Sequence, residues 1–128
     1  MARILIIDDS TDVRMRLRGI LTRAGHEVIE GVDGSNGLEL LLSNQLSNQR
    51  LDLAISDFFM PGYDGLSMLK KAKERLGEFG FPVFMLTTET NTMMKESAKQ
   101  LGVVAWIIKP VVEDRLLRAI DKVLVRAA

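Results

Sequence analysis

The 128-residue chain contains no cysteine, which excludes disulfide staples, thiolate chemistry and Cys-ligated zinc and agrees with a cytoplasmic setting. It also lacks net charge, because seventeen Lys and Arg oppose seventeen Asp and Glu. No whole-molecule field therefore draws in nucleic acid or an anionic membrane, and recognition must be local. There is no helix-turn-helix pattern, so DNA is not an expected partner. No apolar run approaches the roughly 18 residues of a membrane span. Arg3 followed by four apolar residues and two acids does not compose a signal peptide either. The single histidine, His26, has no second imidazole with which to share a metal and reads as a solvated surface residue.

What is present is apolar: 47% of the residues, enough to bury on the order of two thirds of the unfolded surface in a domain of this size. The length accommodates one domain, residues 1–128. The last helical pattern runs nearly to Ala128, so no tether to an output domain is expected. The seven methionines read as core filler.

Four short apolar runs, Ile4–Ile7, Leu53–Ser56, Val83–Leu86 and Val103–Ile108, have the brevity and β-branched content of strands buried on both faces of a parallel sheet. A fifth, Val28–Val32, is interrupted by Glu30 and Gly31 and reads as an edge strand. Between them lie helical stripes: Val13, Leu17, Ile20, Leu21 and Ala24; Leu38, Leu41 and Leu42; Leu66, Leu69, Ala72 and Leu76; Met94, Ala98 and Leu101; Leu116, Leu117, Ile120, Val123 and Leu124. Gly25, Gly77 and Gly102 sit where helix C-terminal glycines belong. Strict alternation of five strands with five helices predicts right-handed βαβ units and a doubly wound α/β sandwich.

Ligands of such a sheet bind beyond the carboxyl ends of its strands. The residues there are Asp8 and Asp9 after the first run, Asp57 after the third, Thr87 and Thr88 after the fourth, and Lys109 and Pro110 after the fifth. Singly, each has an ordinary structural explanation: acids before a helix cap it, and Gly62 and Gly65 in MPGYDG are turn residues. Together they form a chemical set. Three carboxylates one or two strand spacings apart, about 4.8 Å each, repel one another unless a cation neutralises them. An all-oxygen donor set without His or Cys selects a hard ion, Mg²⁺. Lys109 then supplies a point charge and Thr87 a hydroxyl, which with Mg²⁺ could hold the three oxygens of a phosphoryl group, leaving Asp57 as nucleophile.

Asp8-Asp9 in IIDDS, Asp57 followed by Met60-Pro61-Gly62 and Asp64-Gly65, Thr87, and Lys109-Pro110 resemble, in order and interval, the receiver domain of two-component response regulators in its single-domain, CheY-like form. The resemblance spans the chain and implies a flavodoxin-like five-stranded sheet in the order 2-1-3-4-5. It implies that Asp57 accepts a phosphoryl group from a sensor histidine kinase. Asp9, Asp57 and the Phe59 backbone carbonyl would bind Mg²⁺ directly, Asp8 acting mainly through water. Lys109 would pair with the phosphoryl oxygens, aimed by a cis Lys109–Pro110 bond. Thr87 would draw its loop inward and Trp106 would complete the switch.

Three positions depart from the pattern. Phe59 stands where a polar residue is frequent, Thr88 replaces the usual small residue, and Trp106 replaces Tyr or Phe. Phe59 and Glu89 are expected to modulate phosphoryl lifetime, Phe59 more strongly. The implied function is phosphorylation-switched signalling through altered protein binding at the face of the fourth helix, fifth strand and fifth helix, with catalysis limited to the chain's own phosphorylation and dephosphorylation. Chemotaxis, with a flagellar motor switch as output partner and a phosphatase as antagonist, leads; a phosphorelay intermediate or phosphate sink fits the same residues. A magnesium phosphohydrolase with an aspartate nucleophile would call for Asp-x-Asp after the first strand. A flavin carrier would need a phosphate-cradling loop where Asp8 and Asp9 stand.

Overall fold

The computed structural model describes residues 1–46, 50–88 and 90–127. The elements alternate as β1 (Arg3–Ile7), α1 (Thr11–Arg23), β2 (Glu27–Gly31), α2 (Gly34–Leu46), β3 (Leu53–Asp57), α3 (Gly65–Leu76), β4 (Val83–Thr87), α4 (Thr92–Gln100), β5 (Val103–Ile108) and α5 (Glu113–Ala127). The strands are parallel and ordered β2-β1-β3-β4-β5, the doubly wound arrangement the resemblance implies.

Two cores result, one on each face of the sheet. Successive side chains of a strand point to opposite faces. Ile4 and Ile6 of β1, Leu53 and Ile55 of β3, and Phe84 and Leu86 of β4 accordingly enter the core covered by α1 and α5 through Leu17, Ile20, Leu21, Leu116 and Ile120. Leu5, Ile7, Ala54, Val83 and Met85 enter the other, covered by α2, α3 and α4 through Leu41, Met68, Leu69, Ala72 and Ala98. Burial on both faces is why β1, β3 and β4 read as unbroken apolar runs.

The helix ends follow local chemistry. The Ser10 hydroxyl accepts from the Val13 N–H at 3.3 Å to start α1, and the Asp64 carboxylate accepts from the Ser67 N–H at 2.8 Å to start α3. Gly25, Gly77 and Gly102, at the ends of α1, α3 and α4, have φ of 90°, 75° and 97°, a backbone that side chains with a Cβ rarely adopt; Gly77 has ψ of −131°, outside the left-handed helical cap. Among the described residues no helix is long and apolar enough to cross a membrane.

Four readings are corrected. β5 is not buried on both faces: Val104 is 57% and Ile108 42% exposed. Its register against β4 jumps from Val83–Val103 to Phe84–Ala105, so Val104 is the extra residue of a bulge on an outer strand. β2 begins at Glu27 and stops at Gly31, because the Val32 N–H is taken by the Asn36 side chain at 2.9 Å. His26 is half-buried, its Nδ1 accepting from the Ala2 N–H at 3.1 Å. Of the methionines, Met68 and Met85 are core residues, whereas Met1, Met15 and Met93 are exposed.

Candidate functional site

Strand register alone lines the site residues along one edge of the sheet. Ile7 pairs with Ser56, so the next residues in line are Asp8 and Asp57. Asp57 pairs with Leu86, so Thr87 follows on β4, and Thr87 pairs with Ile108, which puts Lys109 next on β5. The structure thus gathers Asp8, Asp57, Thr87 and Lys109 from four adjacent strands, and Asp9 follows Asp8 at the mouth of the site.

Asp8 is 1% and Asp57 6% exposed, while Asp9 faces solvent. Each of the three offers a carboxylate oxygen, all within 4.8 Å of one another. The Lys109 ammonium lies 3.1 Å from Asp8 Oδ2 and 3.2 Å from Asp57 Oδ1. Asp8 Oδ1 accepts the Ser10 N–H at 2.9 Å, and Asp57 Oδ1 accepts the Phe58 N–H at 2.9 Å. Lys109 is anchored through its own N–H, which donates to the Thr87 carbonyl at 2.8 Å. The Lys109–Pro110 bond is cis.

Charge at this site is unbalanced. Burial, and then the negative charge of Asp8, push the Asp57 carboxyl above the ordinary carboxylate range despite the opposing pull of Lys109. Burial works against the charged form of Lys109, yet the Asp57 and Asp8 charges and hydrogen bonds outweigh it and raise the amine. The ammonium therefore stays charged, but one cation cannot neutralise three acids. Two like charges at 4 Å repel by about 4 kcal/mol at an effective dielectric constant of about 20. A divalent ion with oxygen ligands removes that cost, and the donor set, oxygen only and partly open to solvent at Asp9, fits Mg²⁺.

Three switch and lifetime positions are placed as follows. Thr87 is fully buried at the end of β4. Trp106 is half-buried and packs edge-on against Phe58, with ring centroids 5.9 Å apart. Phe59 is 51% exposed, its ring edge-on to Phe58 at 4.6 Å. Glu89 lies outside the described residues.

Sequence reasoning passed over Phe58. It is 4% exposed, bonds Asp57 through its N–H, accepts the Gly65 N–H at 2.7 Å through its carbonyl, and touches both Phe59 and Trp106. The signal available was a pair of large apolar residues in a loop directly after an acid. Arg14 was also passed over; its guanidinium donates to the Asp8 carbonyl at 2.6 Å and pairs with Glu30 at 3.3 Å. Gly65 proves to be more than a turn residue. A Cβ there would lie 2.7 Å from the Asp57 carbonyl oxygen and 2.8 Å from Met85 Sδ, so only glycine lets α3 approach the end of β3.

Comparison with known proteins agrees with this geometry. The family model described as the response regulator receiver domain matches residues 4–121. The protein PilH of Pseudomonas aeruginosa is 32% identical over 124 residues, covering 97% of this chain and 98% of that one. A chemotaxis protein CheY homolog of Campylobacter jejuni is 31% identical over 123 residues, covering 95% and 92%. The solved structure of the Vibrio cholerae chemotaxis protein CheY4 at low pH superposes with a TM-score of 0.83 at 33% identity, covering 96% and 98% of the two chains. The chain belongs to the response regulator receiver domain family, and its class of activity is phosphorylation-switched signalling.

Proposed function

We propose that this chain works as a receiver domain in which Asp57 accepts a phosphoryl group from a phosphohistidine of a sensor kinase. The supporting observation is one ammonium, Lys109, within 3.2 Å of an acid that Asp8 and Asp9 crowd to within 4.8 Å. An Asp57 carboxylate oxygen attacks phosphorus; the new O–P bond forms as the P–N bond breaks, and the imidazole leaves with that electron pair and takes a proton from solvent. Asp9, Asp57 and the Phe59 carbonyl would hold Mg²⁺, with Asp8 acting mainly through water. The chemistry Mg²⁺ supplies when bound is neutralisation of the carboxylates and of the transferring oxygens. Lys109 orients the third phosphoryl oxygen and keeps its charge through the reaction. Thr87 donates its hydroxyl to a phosphoryl oxygen, drawing its loop inward, and Trp106 repacks with it. Phe59 and Glu89 set how readily water reaches the acyl phosphate.

The output is altered binding of a protein partner at the face of α4, β5 and α5. Chemotaxis is the leading role, with a flagellar motor switch protein as target and a phosphatase as antagonist, in the cytoplasm. The likeness to two proteins named for chemotaxis supports it over a phosphorelay intermediate or phosphate sink. Incubation with acetyl phosphate and Mg²⁺ followed by intact-mass measurement tests the chemistry. One added phosphoryl group that decays with time is expected. A chain that takes up none, or that turns over phosphodonor continuously without accumulating an adduct, contradicts the reading.

A further inference from the structure

We propose that Arg16 is a positioning residue for phosphoryl transfer: from α1 it grips the backbone carbonyl of Val111, holds the Lys109–Pro110–Val111 segment against the helix, and so aims the Lys109 ammonium at Asp57. The inference rests on the roles of Asp57 and Lys109 proposed above.

The Arg16 guanidinium donates to the Val111 carbonyl at 2.7 Å across 95 residues of sequence. Val111 is two residues beyond Lys109 and two before α5 begins. The segment is thus tied at one end by the Lys109 N–H to the Thr87 carbonyl at 2.8 Å, and at the other by Arg16. Between these ties Pro110 is exposed, and a cavity of about 320 Å³ bordered by Val13, Leu17, Lys109 and Pro110 lies alongside. Val111 is 7% exposed, so its side chain is held by packing, and the Arg16 hydrogen bond adds a tie on its backbone carbonyl. A charged donor makes that bond one of the stronger kinds.

The same helix also holds the opposing side of the site. Arg14, two residues earlier, donates to the Asp8 carbonyl at 2.6 Å. Residues two apart on a helix diverge, so one rigid element reaches the acid end of the site with one guanidinium and the lysine end with the other. The separation of Lys109 from Asp8 and Asp57 is then set by α1 as well as by the sheet. Among the described residues the hydrogen bond of Arg16 goes to the Val111 carbonyl and not to Asp57 or Lys109, so its effect passes through the segment that carries Lys109.

The experiment follows the rate of Asp57 phosphorylation by acetyl phosphate at saturating Mg²⁺ in the full chain, in Arg16→Met, Arg16→Lys, Lys109→Ala and Arg16→Met combined with Lys109→Ala. Methionine keeps the aliphatic stem and removes the donors. Arg16→Met is expected to slow the reaction about tenfold, since displacement of an aligned group by a fraction of an ångström to an ångström carries a cost of that order or more. Arg16→Lys should recover most of the rate, and calorimetric Mg²⁺ affinity should hold within about twofold. In the Lys109→Ala background Arg16→Met should cost nothing further, the signature of two residues acting as one unit. An unchanged rate in Arg16→Met, or the same loss with and without Lys109, overturns the proposal. If Arg16→Met unfolds, Arg16→Gln is measured against the same criteria. Failure of the underlying reading looks different: Lys109→Ala would then react as fast as the native chain, or Asp57→Asn would still gain the phosphoryl group.

Discussion

Lys109 stands 3.1 Å from Asp8 and 3.2 Å from Asp57, so a single ammonium bridges two buried carboxylates contributed by different strands. Asp9 adds a third acid at the mouth, within 4.8 Å of the others. This excess of negative charge fits the site to a divalent cation.

The first prediction is a stability change with a defined pH dependence. Asp57 is held above the ordinary carboxylate range by burial and by Asp8, so its ionisation costs the folded state stability. That cost is absent below the unfolded-state value, grows as pH rises above it, and is complete once pH exceeds the folded-state value. In metal-free protein Asp57→Asn should raise Tm by a few degrees at about pH 7, and the difference should fade toward about pH 4. Lys109 keeps its partner Asp8 in the variant, and the asparagine carbonyl can still accept the Phe58 N–H. Saturating Mg²⁺ should reverse the order, because it stabilises the native carboxylate set more. Thermal denaturation over this pH range checks both signs.

The strand ends were legible because each of these strands, the partly exposed β5 included, reads as an apolar run and the candidate groups stand where the run stops, at Asp8, Asp57, Thr87 and Lys109. Once the sheet order is known, register brings them together without further information. Local sequence does not encode reach. Arg14 and Arg16 look like solvated helix charges, and only the folded backbone shows that their long side chains end on the carbonyls of Asp8 and Val111. Val104 has the same side-chain character as its buried neighbour Val103, and its exposure follows from a bulge that pairing with β4 creates. Phe58 and Gly65 were hidden for a related reason, since their importance lies in what a neighbouring element brings within contact of them.

Gly65→Ala should destabilise the protein by about 1–3 kcal/mol and slow phosphorylation. A methyl group there meets the Asp57 carbonyl at 2.7 Å, and relieving that contact moves either α3 or the acceptor. Chemical denaturation and phosphorylation rate should both respond. A variant as stable and as fast as the native chain would show that the approach of α3 to β3 relaxes freely.

Trp106 should report the switch through Phe58. Its ring contacts Phe58, whose N–H bonds the Asp57 carboxylate at 2.9 Å. A phosphoryl analogue with Mg²⁺ should change Trp106 emission more than Mg²⁺ alone, and both Thr87→Ala and Phe58→Leu should reduce that extra response severalfold. Fluorescence titration of the three proteins is sufficient; an undiminished response in Thr87→Ala would show that Trp106 moves independently of Thr87.

Phe59→Asn should shorten the phosphorylated lifetime several-fold by admitting and orienting water two residues from the acceptor. Glu89→Ala should change it less. In the unphosphorylated chain Phe59 is half-exposed and rests edge-on against Phe58, a position from which its ring borders the loop leaving β3. Decay of the phosphorylated mass at saturating Mg²⁺ gives the lifetimes directly, and an equal or longer lifetime in Phe59→Asn contradicts a shielding role.

The account stands most directly on where the phosphoryl group goes. Protein treated with acetyl phosphate and Mg²⁺ can be reduced with borohydride, which converts an aspartyl phosphate to homoserine, and then mapped by tandem mass spectrometry. Reduction at position 57 alone, absent when chelator replaces Mg²⁺, is the predicted result. Reduction at Asp8, at Asp9 or at any other acid while position 57 stays unmodified, or full modification of position 57 in chelator, would contradict it.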